Sequence, residues 1–305
     1  MRPGRPSLAA IVVLTACSCS AAVKHQAAPP TYPTTDSPST TGSPPATTTT
    51  LPALTTTSIR PATDPVGLAA ELAGVEARLH SPGMHSGQLA LQALRQQLAY
   101  EYLGAHPEWL PVVLTRVPAL WRATVEANGN AAIDLHALST PVTQAQLQGW
   151  RVSSPAAPAA LLGDYKQGEA ITGVPWQVLA AIHLVETKMS RLQGPSSAGA
   201  QGPMQFLPVT WASYGQGDIH NDRDAILAAA RYLRAMGAPG DLAGAIYHYN
   251  PSQHYVRAVL AYAAQMRADP SAFAAYYHWQ VVFFQGGHEV VLPEGYPGVP
   301  AIVAG

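Results

Sequence analysis

The sequence predicts a mainly α-helical protein, with an N-terminal helical subdomain, a larger helical domain after it and a short C-terminal β-hairpin. Three observations predict this. Apolar residues recur at helical spacing through Leu68, Leu72, Val75 and Leu79, and again through Val178, Leu179, Ile182 and Val185. Helix-starting residues stand where such stretches begin, as in Asp64-Pro65 and in the Thr172 to Pro175 segment. Only near the C-terminus does the pattern turn to β-type: Trp279 to Phe284, then Gly286-Gly287, then Glu289 to Leu292 reads as a hairpin.

The bulk numbers exclude some function classes. Net charge is −1 and charged residues make up 11% of the 305, against roughly a quarter in ordinary domains. No basic footprint for nucleic acid exists. Two cysteines cannot build a disulfide framework. The 28 prolines and 25 glycines are too many for a wholly helical chain, so part of it is expected not to fold.

Residues 1–20 read as a signal peptide. Arg2 and Arg5 form a basic start, and Leu8 to Ala16 is an apolar run too short to span a bilayer. The run ends in Leu14-Thr15-Ala16-Cys17, which resembles a bacterial lipobox, with Cys17 lipidated. Plain secretion, with cleavage near Ser20 to Ala22, is the alternative. The other cysteine is Cys19, so the mature domains carry no thiol nucleophile and no cysteine metal site. Residues 21–64 are Thr/Pro-rich, as in Thr47 to Thr50 and Pro44-Pro45, and read as an extended disordered linker. The expected location is the cell envelope, either on the outer face of the cytoplasmic membrane or secreted.

Residues 65–155 read as the helical subdomain. Asp64 is expected to cap the first helix. Ser86 is expected to cap the second, which carries Leu89, Leu94, Leu98 and Tyr102. A third starts after Pro107, with breaks or kinks at Pro111 and Pro118. His80, His85, His106 and His136 show no ligand spacing and are read as structural or solvent-facing.

The chemistry is expected in residues 156–268. The helix after Pro175 carries Glu186 four residues beyond Ile182, close to the apolar stripe. Desolvation there disfavours the ionised carboxylate, which is what a general acid needs. The alternative is a surface glutamate paired with Lys188 or Arg191. The segment Gly194 to Pro208 follows. Its closely spaced glycines permit close backbone approach, while Ser197 and Gln205 offer neutral hydrogen-bond partners suited to a sugar. A helix carrying Trp211 and Tyr214 is expected to restart near Thr210. Asp224 and Asp241 read as caps of later helices.

These residues resemble the lytic transglycosylases of the goose-type lysozyme-like superfamily over roughly residues 160 to 267. The resemblance rests on Glu186, on the run Ser197 to Pro208 and on Tyr249-Asn250. The run Ala200 to Pro208, followed by Asp224 to Leu233, is most similar to membrane-bound B-type relatives. It implies a lysozyme-like α-helical catalytic domain acting on peptidoglycan. Glu186 would protonate the glycosidic oxygen between N-acetylmuramic acid and N-acetylglucosamine, then deprotonate the C6 hydroxyl to form a 1,6-anhydro product. Ser197 and Gln205 would line sugar subsites, and Met204 would pack beside the glutamate. Tyr249 would bond to Glu186 or an N-acetyl group, with Asn250 nearby. Tyr249-Asn250 alternatively marks only the junction of two helices.

No second carboxylate is needed in such a reaction, unlike a two-carboxylate glycosidase. Asp164, Glu169, Asp218, Asp222, Asp224 and Asp241 all lack a setting like that of Glu186. Trp211, Tyr214 and Tyr247 either stack on sugars or pack in the core. Thr187 replaces a serine usual in relatives. His248 replaces an alanine, and either approaches Glu186 or faces away. The loop Asp218 to Asp224 departs from the EF-hand pattern at His220 and Arg223, so no calcium, other metal or cofactor is expected. The expected partners are peptidoglycan glycan strands and, through Cys17, a membrane. Nucleic acid is excluded, and the sequence names no wall-synthesis protein. A hydrolytic muramidase and a non-catalytic peptidoglycan-binding lipoprotein are the competing functions.

Overall fold

The structure, a computed structural model, describes residues 60–285 and 288–304. The expected signal peptide with Cys17 and Cys19, most of the linker and the Gly286-Gly287 turn lie outside the described residues. Among the described residues the chain forms twelve α-helices and two small antiparallel sheets. None of those helices is long and apolar enough to cross a membrane.

The first layer is α1 (Pro65–Leu79), α2 (Ser86–Ala105), α3 (Leu110–Arg116) and α4 (Ala119–Leu138). Asp64 caps α1 as expected, its Oδ1 accepting from the amides of Val66 at 3.0 Å and Gly67 at 2.9 Å. Such a cap is worth about 1 kcal/mol. Leu68, Leu72, Val75 and Leu79 are all buried, each contributing roughly 1.5–3 kcal/mol by leaving water. Ser86 is not the cap of α2. It is the first helical residue, and the His85 ring nitrogen accepts from the Gln88 amide while the Gln88 side chain answers back. Pro107 opens a 3₁₀ turn (Pro107–Trp109) ahead of α3. Pro111 sits in the first turn of α3, where a missing N–H costs nothing, so it does not break the helix. Pro118 does separate α3 from α4. Among the histidines, His80 meets Asp269 at 2.6 Å and packs at a tilt against Trp121.

The chain continues through α5 (Gln144–Gly149), β1 (Arg151–Val152), α6 (Pro158–Thr172), α7 (Trp176–Thr187) and β2 (Leu192–Gln193). It then forms α8 (Pro208–Tyr214), α9 (Asp222–Ala235), α10 (Leu242–Tyr249), α11 (Gln253–Ala268) and α12 (Pro270–Tyr277). Helix α7 was expected to bury one stripe. Instead every residue from Val178 to Thr187 is buried. A helix apolar on all sides belongs at the centre of a fold, and α6, α9 and α11 surround α7. Helix α4 packs along α11, and one continuous core runs from Leu68 through Tyr165 and Ile182 to Trp279.

The hairpin forms with β3 (Val281–Gln285) antiparallel to β4 (His288–Leu292), pairing Val281 with Leu292. A third strand, β5 (Ile302–Ala304), joins it, with Ala304 opposite Glu289. Both faces of this sheet are buried. Val281, Phe283, Val290 and Leu292 meet Trp150 and Leu192, while Val282 and Val291 meet Leu94 and Leu98. The two-residue pair β1–β2 places Arg151 opposite Gln193.

Candidate active site

Because α7 is buried all round, its polar residues must find internal partners, since an unpaired buried polar group costs about 1–3 kcal/mol. His183, Glu186 and Thr187 are each at most 1% exposed. The Oε1 of Glu186 accepts from the Tyr255 hydroxyl at 2.6 Å. Thr187 donates to the Pro203 carbonyl at 2.7 Å and accepts from the Ser190 amide at 3.0 Å. His183 lies 2.8 Å from the Tyr165 hydroxyl and 2.7 Å from Ser190 Oγ. Burial lowers the His183 pKa to about 3, so the ring is neutral.

Helix α7 ends directly after the glutamate. The amides of Lys188 and Met189 return to the carbonyls of Leu184 and His183, closing the helix through left-handed residues. Lys188, Met189 and Ser190 all have positive φ, at 53°, 57° and 71°. Non-glycine residues pay about 1–2 kcal/mol each for that conformation. The turn sends Met189 into the core and brings Ser190 back under α7. Lys188 is buried within electrostatic reach of Glu101 and Glu186. Desolvation nonetheless dominates and lowers its pKa.

The glycine-rich segment lies against this turn. The Ser196 hydroxyl accepts from the amides of Ala198 and Ala200, and Gln201 bridges back to Phe206. Gly202 has φ +73°, and a Cβ there would meet the Ile219 carbonyl at 1.9 Å. Only glycine fits. Of the residues expected to bind sugar, Ser197 is exposed on this loop. Gln205 is buried at φ 49°, and its amide donates to the Gly202 carbonyl at 2.9 Å, bracing the loop from inside. Met204 is fully buried.

The Tyr249-Asn250 pair closes α10. The Tyr249 hydroxyl donates to the Met204 carbonyl, and its ring packs edge-on against Phe206 and Tyr232. Asn250 is the buried C-cap of α10. The hydroxyl seen on Glu186 Oε1 belongs to Tyr255 on α11, a residue the sequence reading did not single out. Its only sequence signal is its place in the buried stripe Tyr255, Val259, Tyr262, Met266. His248 faces solvent. Trp211 packs edge-on against Phe206 and Tyr214 against Tyr232, whereas Tyr247 is 40% exposed.

A cleft of about 440 Å³ opens beside the turn, lined by Ser190, Gln193, Gly194, Gly202, His220 and Asp222 among others. Its wall is made by the residues that follow Glu186 rather than by Glu186 itself, and Thr187 links the two. Among the other acids, Asp241 caps α10 as expected, accepting from the Gly244 amide at 2.8 Å. Asp224 is not a cap. Asn221 caps α9, and Asp224 Oδ2 accepts instead from the Asp218 amide at 3.0 Å.

Comparison with known proteins places one relative beside this geometry. A stretch of 140 residues, 43% of this chain, is 27% identical to the membrane-bound lytic murein transglycosylase F of Thiobacillus denitrificans (strain ATCC 25259 / T1). The match covers 30% of that protein, so the chain spans under a third of the length of the curated relative it matches. That relative carries an F-type name, whereas the motifs resemble B-type enzymes. No family model and no solved structure matches the chain significantly.

Proposed function

We propose that the protein is a peptidoglycan lytic transglycosylase with Glu186 as its single general acid and base. The observation that carries this reading is the setting of Glu186: 1% exposed, at the end of a central helix, held by the Tyr255 hydroxyl at 2.6 Å and adjoining the Gly194 to Pro208 loop. The similarity to a named lytic murein transglycosylase supports it. The catalytic unit is residues 156–268, with a lysozyme-like helical arrangement and B-type motifs.

The reaction follows from that carboxyl. Tyr255 fixes its orientation, and as general acid the carboxyl would enter the reaction protonated. The acid proton goes to the glycosidic oxygen as the C1–O bond of N-acetylmuramic acid breaks. The carboxylate so formed takes the C6 hydroxyl proton as O6 closes on C1, leaving 1,6-anhydro-N-acetylmuramic acid. Of the residues expected at the sugar subsites, Ser197 is exposed for direct contact, while Met204, Gln205, Tyr249 and Asn250 would act from inside by holding the loop and the end of α10 in place. The nearby acids are engaged elsewhere: Asp222 accepts from Ser190, Asp224 from Asp218 and Asp241 from Gly244. Those three aspartates are thereby less suited to serve as the second carboxylate of a two-carboxylate glycosidase. A lipid on Cys17 would tether the enzyme to the membrane through the linker.

Mass spectrometry of muropeptides from digested peptidoglycan tests this. Anhydro ends are expected. Reducing ends would indicate a muramidase. An absence of products, where a known lytic enzyme cuts, would leave a binding lipoprotein.

A further inference from the structure

We propose that Ser190 is a positioning residue for Glu186: its hydroxyl joins Tyr165, His183 and Asp222 into one hydrogen-bond chain that holds the left-handed segment behind the glutamate. The inference rests on the transglycosylase reading for its kinetic consequence but on geometry alone for the chain itself.

The chain crosses the fold. Tyr165 is on α6, His183 on α7, Ser190 past the helix end and Asp222 on the first turn of α9. Distances are 2.8 Å from Tyr165 to His183 Nδ1 and 2.7 Å from His183 Nε2 to Ser190, and Ser190 bonds Asp222 Oδ1. Proton placement follows from the partners. The neutral imidazole has one N–H and one lone pair. Tyr165, whose pKa burial and nearby carboxylates raise, keeps its proton and donates to Nδ1. Nε2 therefore carries the hydrogen and donates to Ser190 Oγ. The Ser190 hydroxyl hydrogen goes to Asp222. His183 and Ser190 each accept one bond and donate the next, and removing the Ser190 hydroxyl breaks the chain in two.

What the chain holds matters for Glu186. Lys188, Met189 and Ser190 are three consecutive left-handed residues, none of them glycine. Such a run persists only where surrounding contacts over-determine it. The Ser190 amide also bonds Thr187, the residue next to Glu186, and Thr187 bonds the glycine-rich loop at Pro203. Slack at Ser190 therefore reaches both the glutamate and the loop. Small misplacements of a catalytic group cost large rate factors. Ser190 and Asp222 also line the cleft, so the chain reaches the surface where substrate would lie.

Ser190→Gly is the deciding variant, because glycine accepts the left-handed conformation while deleting the hydroxyl. On soluble glycan strands, kcat is expected to fall about tenfold or more with KM within about twofold, and Tm falls modestly, because relief of the left-handed strain offsets only part of the cost of leaving His183 and Asp222 without the hydroxyl. Hydrogen exchange over residues 187–193 should quicken. Asp222→Asn, which keeps an acceptor, should retain near wild-type kcat, whereas Asp222→Ala should behave as Ser190→Gly. Wild-type kcat and exchange in Ser190→Gly would overturn the proposal. A wild-type protein that releases no products would instead overturn the transglycosylase reading. The exchange measurement would still decide whether the hydroxyl pins the turn.

Discussion

Two glutamates in this molecule are each 1% exposed and each accept a tyrosine hydroxyl. Glu76 lies on α1, where its Oε1 takes the Tyr100 hydroxyl at 2.7 Å and the Gln96 amide at 3.0 Å. Desolvation raises its pKa despite those bonds. Gln96 extends the network by accepting from the Trp279 indole at 3.2 Å. Glu76 lies in the last turn of α1, enclosed within a packed layer. Glu186 stands at a helix end, beside a strained turn, a glycine-rich loop and an open cleft. The pair teaches that burial and a tyrosine do not make a catalytic acid. The difference between the two lies in the backbone around the carboxyl: residues shortly after Glu186, among them Ser190 and Gln193, line a cleft.

The contrast can be broken by mutation. The largest effect is expected for Glu186→Gln, which should fold normally and lose about 10²–10⁴-fold in glycan cleavage, the usual contribution of a general acid. Retained turnover in that variant, measured by product release, would erase the distinction between the two glutamates. Next comes Glu76→Ala. It strands the Tyr100 hydroxyl and the Gln96 amide in the core and should cost about 2–4 kcal/mol in denaturant unfolding. The kcat of the folded fraction should not change. A kcat loss without a stability loss would make Glu76 part of the site.

Tyr255→Phe should sharpen the comparison from the other side. It removes the hydroxyl that orients Glu186 and is expected to lower kcat about tenfold, or about 1.4 kcal/mol. The smallest effect concerns a third buried acid, Glu289 on β4, whose two carboxylate oxygens have no hydrogen-bond partner. Burial foremost, and then Glu101 and Glu71, push its pKa well up. The folded state thus binds this proton more tightly than the unfolded state does. Stability from this group is full below the ordinary glutamate range and is lost as pH rises through the raised value. Glu289→Gln should flatten that decline and raise Tm slightly at neutral pH. A thermal melt series in which the variant keeps the wild-type slope would assign the pH dependence elsewhere.

Much of this was legible in the residues, and the failures have physical reasons. The Asp64 cap, the Asp241 cap and the β3–β4 hairpin followed from local chemistry, because caps and alternation act within a few residues. The position of Glu186 on the buried side of its helix followed from periodicity. Periodicity understated α7, however: a stripe was visible, but burial of the opposite face depends on what α6, α9 and α11 bring from a distance. Tyr255 was hidden for a related reason. Its spacing with Val259 and Tyr262 marks a core stripe, and nothing local says that its hydroxyl meets a carboxylate 69 residues earlier. The strands β1, β2 and β5 are two or three residues long, too short to alternate. Asp224 was misread as a cap because Asn221, three residues before it, does that work.

Gly202 carries one more consequence. Since a single methyl group there would collide with the Ile219 backbone, no one-step replacement at this position leaves both loops in place. Descendants of this gene are therefore barred from varying that residue. Variation is free instead at open positions such as Ser197 and Tyr247, where a changed side chain meets water before it meets the fold.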